Sequence, residues 1–305
     1  IRNRNRGSRI VLARRVHVQR FHPVVARWFS EQFSAPSHCQ ARGWPHIMSG
    51  EDTLVVAPTG SGKTLAAFLV AIDGLLRAAE AGDLVDAVSV IYVSPLKALS
   101  NDIQRNLSGP LEQMAEVAAG MGIEMPRLRT ALRTGDTPPA ERQKMLRKPP
   151  HILITTPESL YILLTSKSGR QGLRGVKTLI LDEIHAIADD KRGSHLSLSI
   201  ERLCALAEGP VTRIGLSATI GNPEEMARWL SPHATPVLAP SPRGTDLEVV
   251  TEPVTDADRA LSLELHLSPQ GLAAPRGPAT RIRESAPCLV FVNSLHTAPS
   301  SYTHR

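Results

Sequence analysis

The sequence predicts a doubly wound α/β fold on a mainly parallel sheet, and three observations carry that prediction. Five apolar runs, at 53–57, 88–93, 151–155, 176–182 and 211–217, have the length and β-branching of strands buried on both faces. Helical patterns fill the intervals, at about 63–80, 96–118, 139–147, 158–165, 195–208 and 223–230, which is the alternation of βαβ units. The chemistry-bearing motifs fall where these strands end, and open α/β sheets bind ligands outside the carboxyl ends of their strands.

A chain of 305 residues is long enough for one large domain or two ordinary ones. No apolar run approaches the ~18 residues of a membrane-spanning helix. The formal charge is +6, but residues 1–20 hold seven arginines and no acid, which leaves 28 basic against 29 acidic side chains. The basic character therefore belongs to the arm, and any nucleic-acid site in the body must be a local patch. The arm itself reads as a solvated tail expected to lack order, as sequence upstream of the natural start (the chain opens on Ile1), or as an Arg-rich transit segment. Cys39, Cys204 and Cys288 lie far apart, without the spacing of a zinc site. They are expected to be reduced, buried thiols of a cytoplasmic protein.

Taken in order, His22-Pro23 opens a helix with Val24, Val25, Trp28, Phe29 and Phe33 on one face, and a second short helix follows Ser34-Ala35-Pro36. Strand 53–57 then runs into Ala57-Pro58-Thr59-Gly60-Ser61-Gly62-Lys63-Thr64 and a helix. Glycines let backbone N–H groups close around phosphate oxygens, and the helix N-terminus adds partial positive charge. Lys63 has the reach for the terminal phosphates of ATP, and the Thr64 hydroxyl suits Mg²⁺. The strict pattern wants glycine where Ala57 stands. A structural turn has a use for Gly-Ser-Gly but none for the Lys-Thr that follows.

The run VKTLILDEIH, 176–185, ends in two acids and a histidine. Asp182 at the strand tip suits Mg²⁺ held through water, and Glu183 suits the attacking water. Acids in the first turn of a helix are also common, and it is the phosphate loop upstream that favours catalysis. In RIGLSATIG, 213–221, Ser217-Ala218-Thr219 is by itself a small-residue turn. YVSPLKALSND (92–102), RTGDT (133–137) and TTPESL (155–160) carry polar groups suited to a sugar–phosphate backbone. Each alone is also an ordinary cap or turn, with Pro157 a plain first-turn proline. Together they share a sheet edge with the phosphate loop. Beyond 232 prolines recur, so 21–232 reads as the main domain and 233–286 as a connecting region, before one more buried strand at 287–293.

In this order, Gln40, APTGSGKT, PLKAL, RTGD, TPESL, DEIH and SAT resemble a superfamily 2 helicase. The DEIH tetrad, SPLKALSND, FHPVVARWF, GWPHI, ILITTPESLYILLTS and DKRGSHLSLSIERL look most like its Lhr branch. The resemblance covers about 21–255 and resumes at 288–294. It implies a RecA-like P-loop NTPase domain followed by the start of a second RecA-like domain at 287–305. It implies that Gln40 reads adenine, that Thr59, Gly60, Ser61, Gly62, Lys63 and Thr64 hold ATP, and that Thr64 and Asp182 hold Mg²⁺. Glu183 and Asp182 would be catalytic with Lys63. His185, Ser217, Ala218 and Thr219 would couple hydrolysis to movement. Pro95, Lys97, Asn101, Arg133, Thr134, Gly135, Asp136, Thr156, Pro157 and Glu158 would grip one strand of DNA or RNA, or a duplex with a 3′ tail. Family members are 3′-to-5′ translocases that unwind duplexes, and Lhr-type enzymes are associated with DNA repair.

The resemblance stops at about Ser294, before the motifs of the second domain, which in the family supplies an arginine to the γ-phosphate. Such an arginine is worth roughly 10³–10⁵ in turnover. The expectation is a chain that binds Mg-ATP, hydrolyses it slowly and unwinds nothing alone. The alternative is a non-catalytic module that holds ATP or nucleic acid, expected from a truncated or frameshifted helicase gene.

Overall fold

Seven strands form one parallel sheet in a computed structural model that describes residues 17–95, 103–188, 191–218, 220 and 222–238. They are β1 (Thr53–Val56), β2 (Val90–Val93), β3 (Thr130–Arg133), β4 (Ile152–Thr155), β5 (Thr178–Leu181), β6 (Thr212–Ser217) and β7 (Thr235–Leu238). The order across the sheet is β3-β4-β2-β5-β6-β1-β7, and every pairing is parallel. The described helices are α1 (Pro23–Gln32), α2 (His38–Met48), α3 (Lys63–Glu80), α4 (Gly109–Gly120), α5 (Pro139–Arg147), α6 (Pro157–Thr165), α7 (Lys167–Gly172), α8 (Lys191–Leu206) and α9 (Pro223–Leu230).

Successive residues of a strand point to opposite faces, and here both faces are covered. Val55, Tyr92, Ile154, Ile180 and Ile214 pack with α1, α2, α3 and α4. Leu54, Ile91, Leu153, Leu179 and Leu181 pack with α6, α8 and α9. That two-sided burial explains why the inner strands are continuous apolar runs. Helix α3, directly behind the phosphate loop, is held hardest: Phe68, Leu69 and Ile72 are wholly buried, each worth about 1.5–3 kcal/mol of transfer free energy. Trp44 of α2 is also wholly buried, and its indole N–H donates to Ala66 O at 3.2 Å. Without that acceptor the buried donor would cost about 1–3 kcal/mol.

The two edge strands depart from the expected pattern. In β3 exposed and half-buried residues alternate, with Leu132 facing outward, so no apolar run marks it. β7 contains Pro236, which only an edge strand tolerates. It carries the sheet past residue 232, into the stretch read from sequence as connecting region. Phe33, the C-cap residue of α1, keeps its ring against Trp28 and Phe29 on the buried face of that helix but is 40% exposed at the edge of it. The short helix α7 and the first four residues of α8 were also absent from the helical pattern. The arm as far as residue 16, the connecting region beyond 238 and the segment 287–305 lie outside the described residues, as do Lys97, Asn101 and Thr219. Among the described residues no helix is long and apolar enough to cross a membrane.

Candidate nucleotide site and strand track

The loop after β1 is built by two glycines. Ser61 N–H closes a turn on Pro58 O at 3.2 Å, with Gly60 at φ 80 in the position where such a turn demands a positive φ. Gly62 follows at φ 86 and caps α3. A side chain there would be strained, and its Cβ would stand 2.8 Å from Gln40 Nε2. Gln40 is buried and holds the loop from the side. Its Nε2 donates to Gly62 O at 3.3 Å, and its Oε1 accepts from Ser37 N–H at 2.8 Å in the capping box that starts α2. The Cys39 thiol donates to Ser61 O at 3.3 Å from the same helix turn. The sequence gives no signal for that contact.

Lys63 is the first residue of α3, buried to 4% exposure, with Nζ 3.7 Å from Glu183 Oε1. Thr64 Oγ1 donates to Asp182 Oδ2 at 3.1 Å. Asp182 leaves β5 with its backbone N–H still bonded to Val93 O on β2. Its Oδ1 accepts from Glu183 N–H at 2.8 Å, and its Oδ2 accepts from the Tyr92 hydroxyl at 2.6 Å. Glu183 then turns sharply, at φ 51 and ψ 40, into the 3₁₀ turn Ile184–Ala186. That turn carries His185 back toward β6. Ala218 N–H donates to His185 Nδ1 at 3.2 Å, and Ser217 Oγ lies 3.3 Å from the same nitrogen. A backbone N–H can only donate, so Nδ1 carries the lone pair and the proton sits on Nε2. Nε2 lies 3.3 Å from Glu183 Oε2, at ion-pair distance. One chain of contacts thus runs from Lys63 through Glu183 and His185 to the end of β6.

The three remaining segments follow β2, β3 and β4, which are neighbours on the other half of the sheet. Pro95 is half-buried just after β2. In the β3 turn Thr134 N–H donates to Thr137 Oγ1 at 2.8 Å, and Asp136 N–H donates to Thr134 Oγ1 at 3.3 Å. Arg142 binds Gly135 O and Thr137 O at 2.7 Å each. The Thr134 and Thr137 hydroxyls therefore build the turn. Arg133 lines a cavity of about 410 Å³ against Leu146, Leu153 and Leu163. Burial there pushes its pKa down, helped by Arg142. Thr156 caps α6 through Ser159 N–H at 3.3 Å, with Pro157 behind it. Glu158 pairs with Arg192 of α8, Nη2 to Oε1 2.7 Å and Nε to Oε1 3.0 Å. Burial alone would raise the Glu158 pKa, but its own backbone N–H and Arg192 hold it below the usual value.

A parallel sheet of this order, with a glycine loop at β1, paired acids at β5 and a bonded Ser-Ala at β6, is a RecA-like P-loop domain. The DEAD/DEAH box helicase family model matches residues 37–226, and the chain belongs to that family. It is 50% identical over 239 residues to the Lhr helicase/probable uracil glycosylase of Mycolicibacterium smegmatis, covering 78% of this chain and 16% of that protein. It is 43% identical over 291 residues to the Lhr helicase/uracil glycosylase of Escherichia coli, covering 90% of this chain and 19% of that one. The structure of Mycobacterium smegmatis helicase Lhr bound to ssDNA and AMP-PNP superposes with a TM-score of 0.69 at 49% identity, over 74% of this chain and 28% of that one. The chain thus spans under a fifth of the length of these two curated relatives.

Proposed function

We propose that this chain is the ATP-binding half of a helicase motor that moves along a nucleic-acid strand in the 3′-to-5′ direction. The observation that carries the reading is the contact chain joining the phosphate loop, Asp182, Glu183, His185 and Ser217 at one sheet edge. Backbone N–H groups from Thr59 to Thr64 would cradle the phosphates, with Lys63 on the terminal ones. Gln40, already tied to Gly62 O, would link the adenine to the loop. Glu183 would orient and deprotonate the attacking water. His185 would pass the state of Glu183 to Ser217, Ala218 and Thr219.

Thr64 Oγ1 and Asp182 Oδ2 are hard oxygens 3.1 Å apart beside the phosphate cradle. No cluster of three or more metal-binding side chains exists among the described residues. That donor set fits Mg²⁺, which takes one or two protein oxygens together with phosphates and water. The ion would neutralise charge developing on the phosphates.

The strand grip would lie over the ends of β2, β3 and β4, through Pro95, Lys97, Asn101, the 133–136 turn and the start of α6. The ssDNA bound to the Lhr relative supports nucleic-acid binding, and the substrate in this reading is single-stranded DNA or RNA, or a duplex with a 3′ tail. With Cys39 and Cys204 both free thiols, we place the protein in the cytoplasm. Residues 21–232 with β7 form the motor domain in this reading, joined through a connecting region to a second RecA-like segment from 287.

The test is steady-state ATP hydrolysis with and without single-stranded DNA. Slow turnover is expected, because Lys63 is the one Lys or Arg paired with the catalytic acids among the described residues. Glu183→Gln should lower that turnover by about 10²–10⁴-fold while ATP still binds. Turnover insensitive to Glu183→Gln would sink the catalytic reading and leave a binding module.

A further inference from the structure

We propose that Tyr92 is a positioning residue for the Mg²⁺ site, fixing the carboxylate of Asp182 from the neighbouring strand; this rests on the nucleotide reading above. Three donors meet that carboxylate. Glu183 N–H takes Oδ1, while Thr64 Oγ1 and the Tyr92 hydroxyl share Oδ2 at 3.1 and 2.6 Å. With Mg²⁺ bound, Thr64 Oγ1 would serve the metal and give up its bond to Oδ2. Tyr92 then remains on Oδ2, and its bond has the short length of a hydroxyl donating to a carboxylate.

The ring that carries this hydroxyl has no freedom to follow the carboxylate. Tyr92 is wholly buried in β2, paired across to Ile180 of β5. Its face lies against Phe68 of α3, with centroids 4.9 Å apart. The same helix begins with Lys63 and Thr64. Tyr92 therefore locks three parts of the site to one another: the helix behind the phosphate loop, the strand that ends in Asp182, and the carboxylate oxygen that would serve Mg²⁺. Packing alone does not account for a tyrosine here. Its neighbours in the strand, Val90, Ile91 and Val93, are aliphatic, and phenylalanine would fill the same volume without a hydroxyl to satisfy.

Groups behind a metal ligand set its orientation, and their loss typically costs about 10–100-fold in metal affinity. The experiment compares wild type with Tyr92→Phe in binding a fluorescent ATP analogue, titrated with MgCl₂ and repeated in EDTA. The Mg²⁺ concentration for half-maximal binding should rise roughly tenfold, with Mg²⁺-free affinity unchanged. A merely structural role would weaken both alike, and that result, or an unaltered Mg²⁺ dependence, would overturn the proposal. Circular dichroism establishes that the variant is folded. If it is not, Phe68→Leu, which keeps the hydroxyl but loosens the ring, must shift the Mg²⁺ dependence in the same direction, and no shift would overturn it. A wild-type chain that bound no analogue at any Mg²⁺ concentration would overturn this inference and the nucleotide reading together.

Discussion

Glu183 is the one non-glycine residue with a positive φ among the described residues. Holding that conformation costs on the order of 1–3 kcal/mol. The strain turns the chain off β5 within one residue and sets the Glu183 carboxylate between Lys63 and His185. The order of the two acids follows: Asp182 still lies in line with the strand and faces Thr64, whereas Glu183 is turned outward. His151, at the start of β4, makes a different prediction. It is 2% exposed, and its Nδ1 accepts from Arg129 N–H at 3.1 Å. Burial and then the Arg129 charge push its pKa below the ordinary 6.5, against the pull of Asp86. Above about pH 6.5 the ring is neutral whether folded or unfolded and contributes nothing. Below it the unfolded chain takes the proton first, so stability falls with pH until the folded ring also protonates. In thermal melts at pH 7.5 and 5.5, His151→Asn, whose Oδ1 replaces the Nδ1 acceptor, should lose less stability on acidification than wild type. Equal losses would assign the acid sensitivity to other groups.

At the scale of elements, the seating of the paired acids depends on β6. A Cβ on Gly215 would stand 2.9 Å from Leu230 Cδ2, 3.1 Å from Leu54 Cδ1 and 3.2 Å from Ile184 Cδ1. Glycine thus lets α9 and the turn after Glu183 close on the sheet together. Gly215→Ala should destabilise by about 1–3 kcal/mol, read as a fall in the chemical-denaturation midpoint; a midpoint equal to wild type would show that the contact relaxes freely. Gly215 and its role are invisible in sequence, because a lone glycine in a strand carries no partner's name. The inner strands were legible for the opposite reason, since burial on both faces writes an unbroken apolar run. The edge strands β3 and β7 were not, because one is alternately exposed and the other contains proline. Among the site residues, Lys63, Thr64, Asp182 and Glu183 could be read from their spacing. Tyr92 could not, because its meaning comes from strand pairing across the sheet.

Across the whole molecule, the strand order divides the work. β5, β6 and β1 end in the groups assigned to the nucleotide, and β3, β4 and β2 end in the segments assigned to the nucleic-acid strand. β2 and β5 are adjacent, so the two halves meet where Tyr92 touches Asp182. Sequence showed that both sets of motifs share an edge but not that they form two blocks, which follows only from the order of strands. Whether the loop after β1 holds nucleotide is decided by equilibrium binding of ATP to the purified chain with Mg²⁺, beside Lys63→Ala. Loss of one charge-assisted contact of this kind is worth about 1.5–3 kcal/mol. Wild type should bind saturably, and the variant's affinity should fall roughly 10- to 100-fold. Binding that Lys63→Ala leaves unchanged, or no binding at all, would contradict the nucleotide reading.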